Sequence, residues 1–264
     1  MLFIIGYTGA LVIALIAYRF RALTISGALA ATLVGGCIYL GGEVSGAIIL
    51  VAFFISGSML SRINHPPAPS FEMKVSHARD YKQVLANGIV PAVAMLVMYI
   101  KPSTREEMTL LFLGSLATAT ADTWATEIGT RFSTRVYDII SFKQMQPGLS
   151  GGITMIGTIA SALGAFAIAA LSLIHPQEAA GLCHLEFTPV LLVVTVAGFS
   201  GALIDSVIGA KLQAKYKLPD GHIIEDKHSG AALTSGTPLI GNNATNLMAT
   251  FLGGLVAVGI AGWF

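Results

Sequence analysis

Apolar positions along this chain do not alternate with polar ones. They form continuous runs at about 2–18, 22–41, 44–60, 84–100, 109–128, 151–174, 188–210 and 239–262. Each run approaches the roughly 20 residues that a helix needs to cross the hydrocarbon core of a bilayer. Unbroken runs of this kind argue against a transmembrane β-barrel, whose strands alternate with period two. The first three runs stand close together, and the fifth ends in charge. Three longer polar segments, 61–83, 130–150 and 211–238, separate some of the runs.

Composition agrees. Of 264 residues, 54% are hydrophobic and 11% charged, with a mean hydropathy of +0.75. A soluble domain carries about 25% charged residues, so an ordinary soluble globule is excluded. The expectation is an all-α polytopic transmembrane helix bundle of about eight spans, one integral membrane domain over residues 1–264. The 29 glycines suit close helix packing in lipid. A net charge of +1 without a dense basic run gives no case for nucleic acid as a partner. Cys37 and Cys183 lie far apart without metal-ligand spacing, so no disulfide framework is expected.

Charge orients the bundle. "MLFIIGYTGALVIALIAY" has no basic residue before its apolar run, and Arg19 and Arg21 follow it. That order predicts a retained first span with its N-terminus outside. With eight spans the C-terminus is outside as well. The inner segments then hold Arg19, Arg21, Arg62, Lys74, Arg79, Lys82, Arg131, Arg135, Lys143, Lys211, Lys215, Lys217 and Lys227, and the outer ones only Lys101 and Arg105. Thirteen against two is the asymmetry of cytoplasmic loops. The protein is expected in the cell or plasma membrane, with its three long polar segments, and its active site, facing the cytoplasm.

Five polar stretches reach the same face: "ARDYKQVLANG", "ATADTWATEIG", "QPGLSGGITMIGT", "GFSGALIDSVIGAKLQ" and "GNNATNLMAT". Asp122 and Glu127 end the fifth run. A charge costs about 2.5–3.5 kcal/mol at the centre of a span and less toward its ends. A carboxylate at a helix C-terminus also opposes the macrodipole. Either residue is a solvated helix end, or a bound cation offsets both costs. Asp205 repeats the pattern on the seventh run. Asp122 and Asp205 at one depth could share a divalent ion, and Mg²⁺ suits carboxylates that act together with substrate phosphates. Ser150, Gly151, Gly152 and Thr154 open the sixth run, and a glycine-rich helix start can bind phosphate or simply serve packing. No P-loop pattern is present. Asn87, Asn242, Asn243 and Asn246 stand where spans begin, as caps or as site residues. His65, His77, His222 and His228 inside, and His175 and His184 outside, form no zinc pair; "PDGHIIEDKHSG" reads as a turn and a mobile loop.

Taken together, "RDYKQVLANG", "ATADTWATEIG", "PGLSGGITMIGT", "GFSGALIDSVIGAKLQ" and "NNATN" resemble the integral membrane family known as domain of unknown function 92. That family includes phytyl-phosphate kinases of tocopherol synthesis and the animal transmembrane protein 19. The resemblance covers nearly the whole chain, with the motifs in the family's order. "DTWATEIGTRF…K…PGLSGG" is more loosely similar to dolichol kinases and CTP-dependent lipid cytidylyltransferases, with "GTR" in place of their Gly-Arg pair. That second resemblance implies Asp122 as a metal ligand and Arg131, Lys143, Gly151 and Gly152 near nucleotide phosphates.

The family resemblance implies a membrane-embedded kinase that converts a phytyl-type prenyl monophosphate to the diphosphate with a nucleoside triphosphate, CTP above others. On this reading Asp122 and Asp205 hold Mg²⁺, with Glu127 a direct or indirect ligand and Thr123 and Ser206 completing the shell. Lys82, Arg131, Lys143 and Lys211 are candidate phosphate contacts, and Asn87, Asn243 and Asn246 orient donor or acceptor. Nucleotidyl transfer to a lipid phosphate and a cation-coupled transporter or lipid flippase are the alternatives. A transport route needs polar groups through the full depth, and the outer half of the bundle reads as apolar. Small-residue faces permit a homodimer without requiring one.

Overall fold

The computed structural model describes residues 1–63, 78–173 and 187–263, and the side chains of all of these but 187 and 188. Lys74, His65, His77, His175, His184 and Cys183 lie outside the described residues. The helices are α1 (Leu2–Arg19), α2 (Ile25–Ile63), α3 (Tyr81–Ile100), α4 (Arg105–Phe132), α5 (Met155–Ser172), α6 (Phe187–Lys211) and α7 (Asn242–Ala261). Among the described residues six helices, all but α4, are long and apolar enough to cross a membrane.

The second and third predicted spans are one helical element with a break. Glu43 interrupts α2 at φ 44° and ψ −136°, in the left-handed region that non-glycine residues rarely adopt. The two halves fold back on each other. A Cβ on Gly35 would lie 3.9 Å from Leu50 Cδ2, a pair that one straight helix would hold about 22 Å apart. Counted as two lengths, α2 brings the bundle to the expected eight.

α4 is the axis. It packs against α2, α3, α5, α6 and α7, and its stretch from Leu110 to Ala121 is almost wholly buried. Small residues permit this. Thr118 is wedged between Gly201 of α6 and Gly253 of α7, where an added Cβ would come within 2.1 and 2.0 Å of its Oγ1. Thr118 and Thr120 donate their hydroxyls to the carbonyls of Gly114 and Leu116 at 2.8 Å, so buried polarity is satisfied within the helix. A helix ringed by others needs no lipid-facing apolar surface, which is why α4 can carry charge at both ends.

The connections at one end carry small sheets. β1 (Tyr137–Asp138) pairs antiparallel with β2 (Gly152–Ile153). β3 (Lys215–Lys217) lies between β4 (Ile223–Ile224) and β5 (Ala232–Ser235). The stretch read as a mobile loop therefore contributes a strand. The sixth helix starts at Met155 rather than at 151, because Gly151 at φ 88° turns the chain and β2 precedes the helix. α7 likewise starts at Asn242, past the 239 expected.

Arg79 N–H donates to Ala22 O and Thr24 N–H to Arg79 O, both at 3.0 Å. This ties the end of α1 to the start of α3 at the end where the sheets lie. Helix directions then put both chain termini at the opposite end. That opposite end is not uniformly apolar as expected. Glu43, Ser45, Arg105, Thr109 and Ser172 line a cavity of about 190 Å³ there. They come from three separate helices, α2, α4 and α5, so no contiguous stretch announces them.

Candidate active site

Asp122 near the end of α4 and Asp205 near the end of α6 line one cavity of about 240 Å³. The small residues between the two helices bring them this close: Gly198 and Gly201 on α6 face Ala117 and Thr118 on α4. Asp205 lies within electrostatic range of both Asp122 and Glu225. The amide nitrogen of Asn246, in the orientation that satisfies its neighbours, donates to Asp205 Oδ2 at 3.2 Å and to Asn242 O at 3.0 Å. α7 thus steadies the carboxylate of α6.

The segment 147–154 forms another wall. Gly148 and Gly151 have φ of 86° and 88°, and a Cβ on Gly151 would lie 2.6 Å from Ala210 Cα. Glycine is required there by torsion and by space alike. Ser150 is held at three points. Glu225 accepts from its backbone N–H and, at 3.0 Å, from its hydroxyl, while Lys215 Nζ donates to its carbonyl at 2.8 Å. Gln213 Nε2 donates to Glu225 at 2.8 Å, and Thr245 donates to Gln213 Oε1 at 3.2 Å. One polar chain therefore runs from Thr245 of α7 through Gln213, just before β3, and Glu225, just after β4, to the glycine loop.

Of the sequence candidates, Asp122, Asp205, Ser150, Gly151, Gly152, Thr154 and Asn242 line this cavity, with Asn246 directly behind Asp205. Thr154 caps α5, accepting from Gly157 N–H at 2.9 Å, so that donor of the first turn is already used. Ser206 also lines the cavity. The other candidates stand elsewhere. Glu127 faces α2, where it accepts from Ser61 Oγ and acts on the Arg79 guanidinium. Five residues at 100° each put it about 140° around α4 from Asp122, and the sequence spacing already implied this. Arg131 donates to Ile63 O at 2.7 Å. Lys82 lies 6.0 Å from the Tyr81 ring, and Lys82, Lys143 and Lys211 are exposed. Asn87 contacts Gln83 O at 3.4 Å, and Asn243 is half-buried on α7 outside the cavity lining. Long basic side chains at a membrane boundary extend toward water, away from this site.

Glu225, Gln213 and Lys215 were not among the candidates. Lys215 counted only as a loop charge, yet it is 8% exposed. A signal existed in "QAKYK", where Gln213 and Lys215 alternate with Ala214 and Tyr216 as in a short strand. Glu225 carries no comparable signal, because Ser150, the loop residue it holds, is 75 residues away in sequence.

The fold and site define a class: a polytopic helical membrane protein with two half-buried helix carboxylates and a braced glycine loop at one end. The chain belongs to the integral membrane family DUF92, which it matches over residues 8–254. It is 28% identical over 250 residues to an uncharacterized membrane protein of Methanocaldococcus jannaschii, covering 94% of this chain and 89% of that one. It is 26% identical over 258 residues to Protein PGR of Arabidopsis thaliana, covering 91% and 89%. To the chloroplastic Protein VTE6 of Arabidopsis thaliana it is 25% identical over 245 residues, covering 89% and 64%. No solved structure matches it.

Proposed function

We propose that this protein is a membrane-embedded prenyl-monophosphate kinase that uses a nucleoside triphosphate, CTP in the first instance, and Mg²⁺. The observation that carries the reading is the pairing of Asp122 and Asp205 from two helices against a positive-φ glycine loop in one cavity. The similarity to VTE6 and the resemblance to phytyl-phosphate kinases support it.

The residues present suit the metal. Both carboxylates offer hard oxygens, and the buried hydroxyls of Ser133 and Ser161, which also line the cavity, have no partner among the described residues. Among those residues no three His, Cys, Asp or Glu side chains form a metal-holding group. Mg²⁺ is commonly bound by one or two carboxylates, with water and phosphate oxygens filling the rest. Asp122 and Asp205 would hold it, and it would supply charge neutralisation on the triphosphate.

The chain's own part is positioning. An acceptor monophosphate is already anionic, so its oxygen needs no strong base. That oxygen attacks the γ-phosphorus, the bond to the bridging oxygen breaks, and the nucleoside diphosphate leaves with the bonding pair. The loop that Glu225 and Lys215 fix at Ser150 would present the Gly151 N–H to the phosphates, since the N–H groups of Ser150 and Gly152 already donate to Glu225 and to Leu149 O. The thirteen-to-two basic asymmetry supports a cytoplasmic site.

The test is protein in detergent with Mg²⁺, CTP and phytyl or geranylgeranyl monophosphate, with products followed by mass and Asp122→Asn as control. Diphosphate and CDP, lost in the variant, are expected. Pyrophosphate and a CDP-lipid would mean nucleotidyl transfer instead. The second reading is cation-coupled transport, favoured by the polar cavity at the opposite end with Glu43 and Arg105. Counterflow in liposomes that depends on Asp122, with no nucleotide consumed, would establish it.

A further inference from the structure

We propose that the cleft along α1 seats the hydrocarbon tail of the acceptor monophosphate, with its phosphate at the end marked by Arg79, Gln83 and Asn87. This deepens the kinase reading and rests on it. The cleft, of about 220 Å³, runs between α1, both halves of α2 and the first turns of α3. Along α1 its wall extends from Ile5 to Ala17, a length of about 18 Å at 1.5 Å per residue. Val34, Leu50, Phe53 and Phe54 face it. Apart from Tyr39 toward the far end, the polar side chains of its lining gather at the end where the candidate active site lies.

That asymmetry is the shape of an amphiphile. A long apolar slot along the membrane normal, closed by one cation and two amides, matches a single chain with an anionic head. Arg79 is well placed. Its main chain is tied to Ala22 and Thr24, and its guanidinium carbon lies 5.4 and 5.6 Å from the Phe53 and Phe54 ring centroids. A Cβ on Gly57 would fall 2.5 Å from Arg79 Nη2 and 3.1 Å from Thr123 Cγ2. The guanidinium therefore reaches the face of α4 that carries Thr123 and Glu127, about 100° around the helix from Asp122. Glu127 acts on the same guanidinium, and an incoming phosphate would share it.

α1 and α2 touch beside the cleft, where a Cβ on Gly35 would lie 3.0 Å from Ala10 Cβ. A Cβ on Gly6 would meet Tyr39 at 2.7 Å and one on Gly36 would meet Tyr7 at 2.5 Å, so α1 and α2 touch there. Gly9 also lines the cleft, yet a Cβ on it would meet nothing within 4 Å. Lipid tails are as apolar as the slot, so selection must come from shape and from the charged end.

The experiment uses the full-length protein in nanodiscs and a geranylgeranyl monophosphate probe with a diazirine at the tail terminus, with adducts mapped by mass. Adducts are expected within Ile5–Ala17. Gly9→Leu should fill the slot and cut labelling about tenfold, the scale of a misfit in an apolar pocket, at unchanged thermal stability. Arg79→Gln should cut labelling by the monophosphate but not by the corresponding alcohol. Adducts on α5 or α6, labelling indifferent to Gly9→Leu, or equal labelling by a phosphatidylcholine probe would each overturn the proposal. Specific labelling of α1 without any diphosphate product would overturn the kinase reading and leave the tail site standing.

Discussion

Asp122 and Asp205 each sit where a charge is costly unless something offsets it, and the packing brings them to one cavity. Asp122→Asn and Asp205→Asn should each lower turnover by about 100-fold or more, the scale of removing one preorganised electrostatic contact. The check is product formation at saturating nucleotide, with folding confirmed by thermal midpoint. Glu225 works differently, since it holds Ser150 through main chain and hydroxyl. Glu225→Gln keeps the size but removes the charge on those hydrogen bonds, which are worth about 1.5–3 kcal/mol each. It should raise the KM for nucleotide about tenfold and change kcat less, as steady-state titration would show. Asp122 and Asp205 were legible from sequence because a carboxylate in an apolar run is conspicuous. Glu225 was not, because an acid in a polar loop is ordinary until its partner from the distant glycine segment arrives.

The elements add two expectations. Thr118 of α4 fits only because α6 and α7 present Gly201 and Gly253 to it. Gly201→Ala should destabilise the bundle by about 1–3 kcal/mol through overpacking. Gly9→Ala, facing open space, should leave the thermal midpoint in detergent nearly unchanged. The β1–β2 connection has its own titration. Asp138 accepts from Ser141 N–H at 2.7 Å and Ile140 N–H at 3.1 Å. Those backbone donors, Ser141 first, hold its carboxyl below the ordinary carboxylate range. A depressed folded-state value means that the stabilisation is present above the unfolded value, about 3.9, and is lost as pH falls through the lower folded one. Asp138→Asn should therefore expose the Ser141 amide to hydrogen exchange at neutral pH, with the difference from the native protein vanishing in strong acid. Helix positions were largely readable from apolar run length. The break at Glu43, the late starts of α5 and α7 and the five short strands were not, because each depends on backbone turns and pairings between segments.

At the scale of the whole molecule, both termini lie at one end and the acidic cavity at the other, as the eight-run count required. With Cys37 and Cys183 replaced by serine, Lys227→Cys should react with a membrane-impermeant maleimide only after cells are permeabilised. Lys101→Cys should react in intact cells, and the reverse pattern would invert the bundle. The cavity at the opposite end shows the limit of reading polarity along a line, since its polar residues come from three helices. By itself the sequence determined the class of fold, the run count, the orientation expected from charge and the two carboxylates worth attention. These follow from local quantities, namely the transfer energy of a contiguous segment and the cost of a charge within it. Helix period already set the two acids on different faces of α4, and tertiary structure alone decided what each face meets, so that Asp122 joins Asp205 while Glu127 turns to Ser61 and Arg79. It also decided that the cavity is braced by Glu225 and Lys215 rather than lined by the boundary cations. Those outcomes depend on which glycine meets which side chain across helices, and contacts between distant segments have no signature in the order of residues.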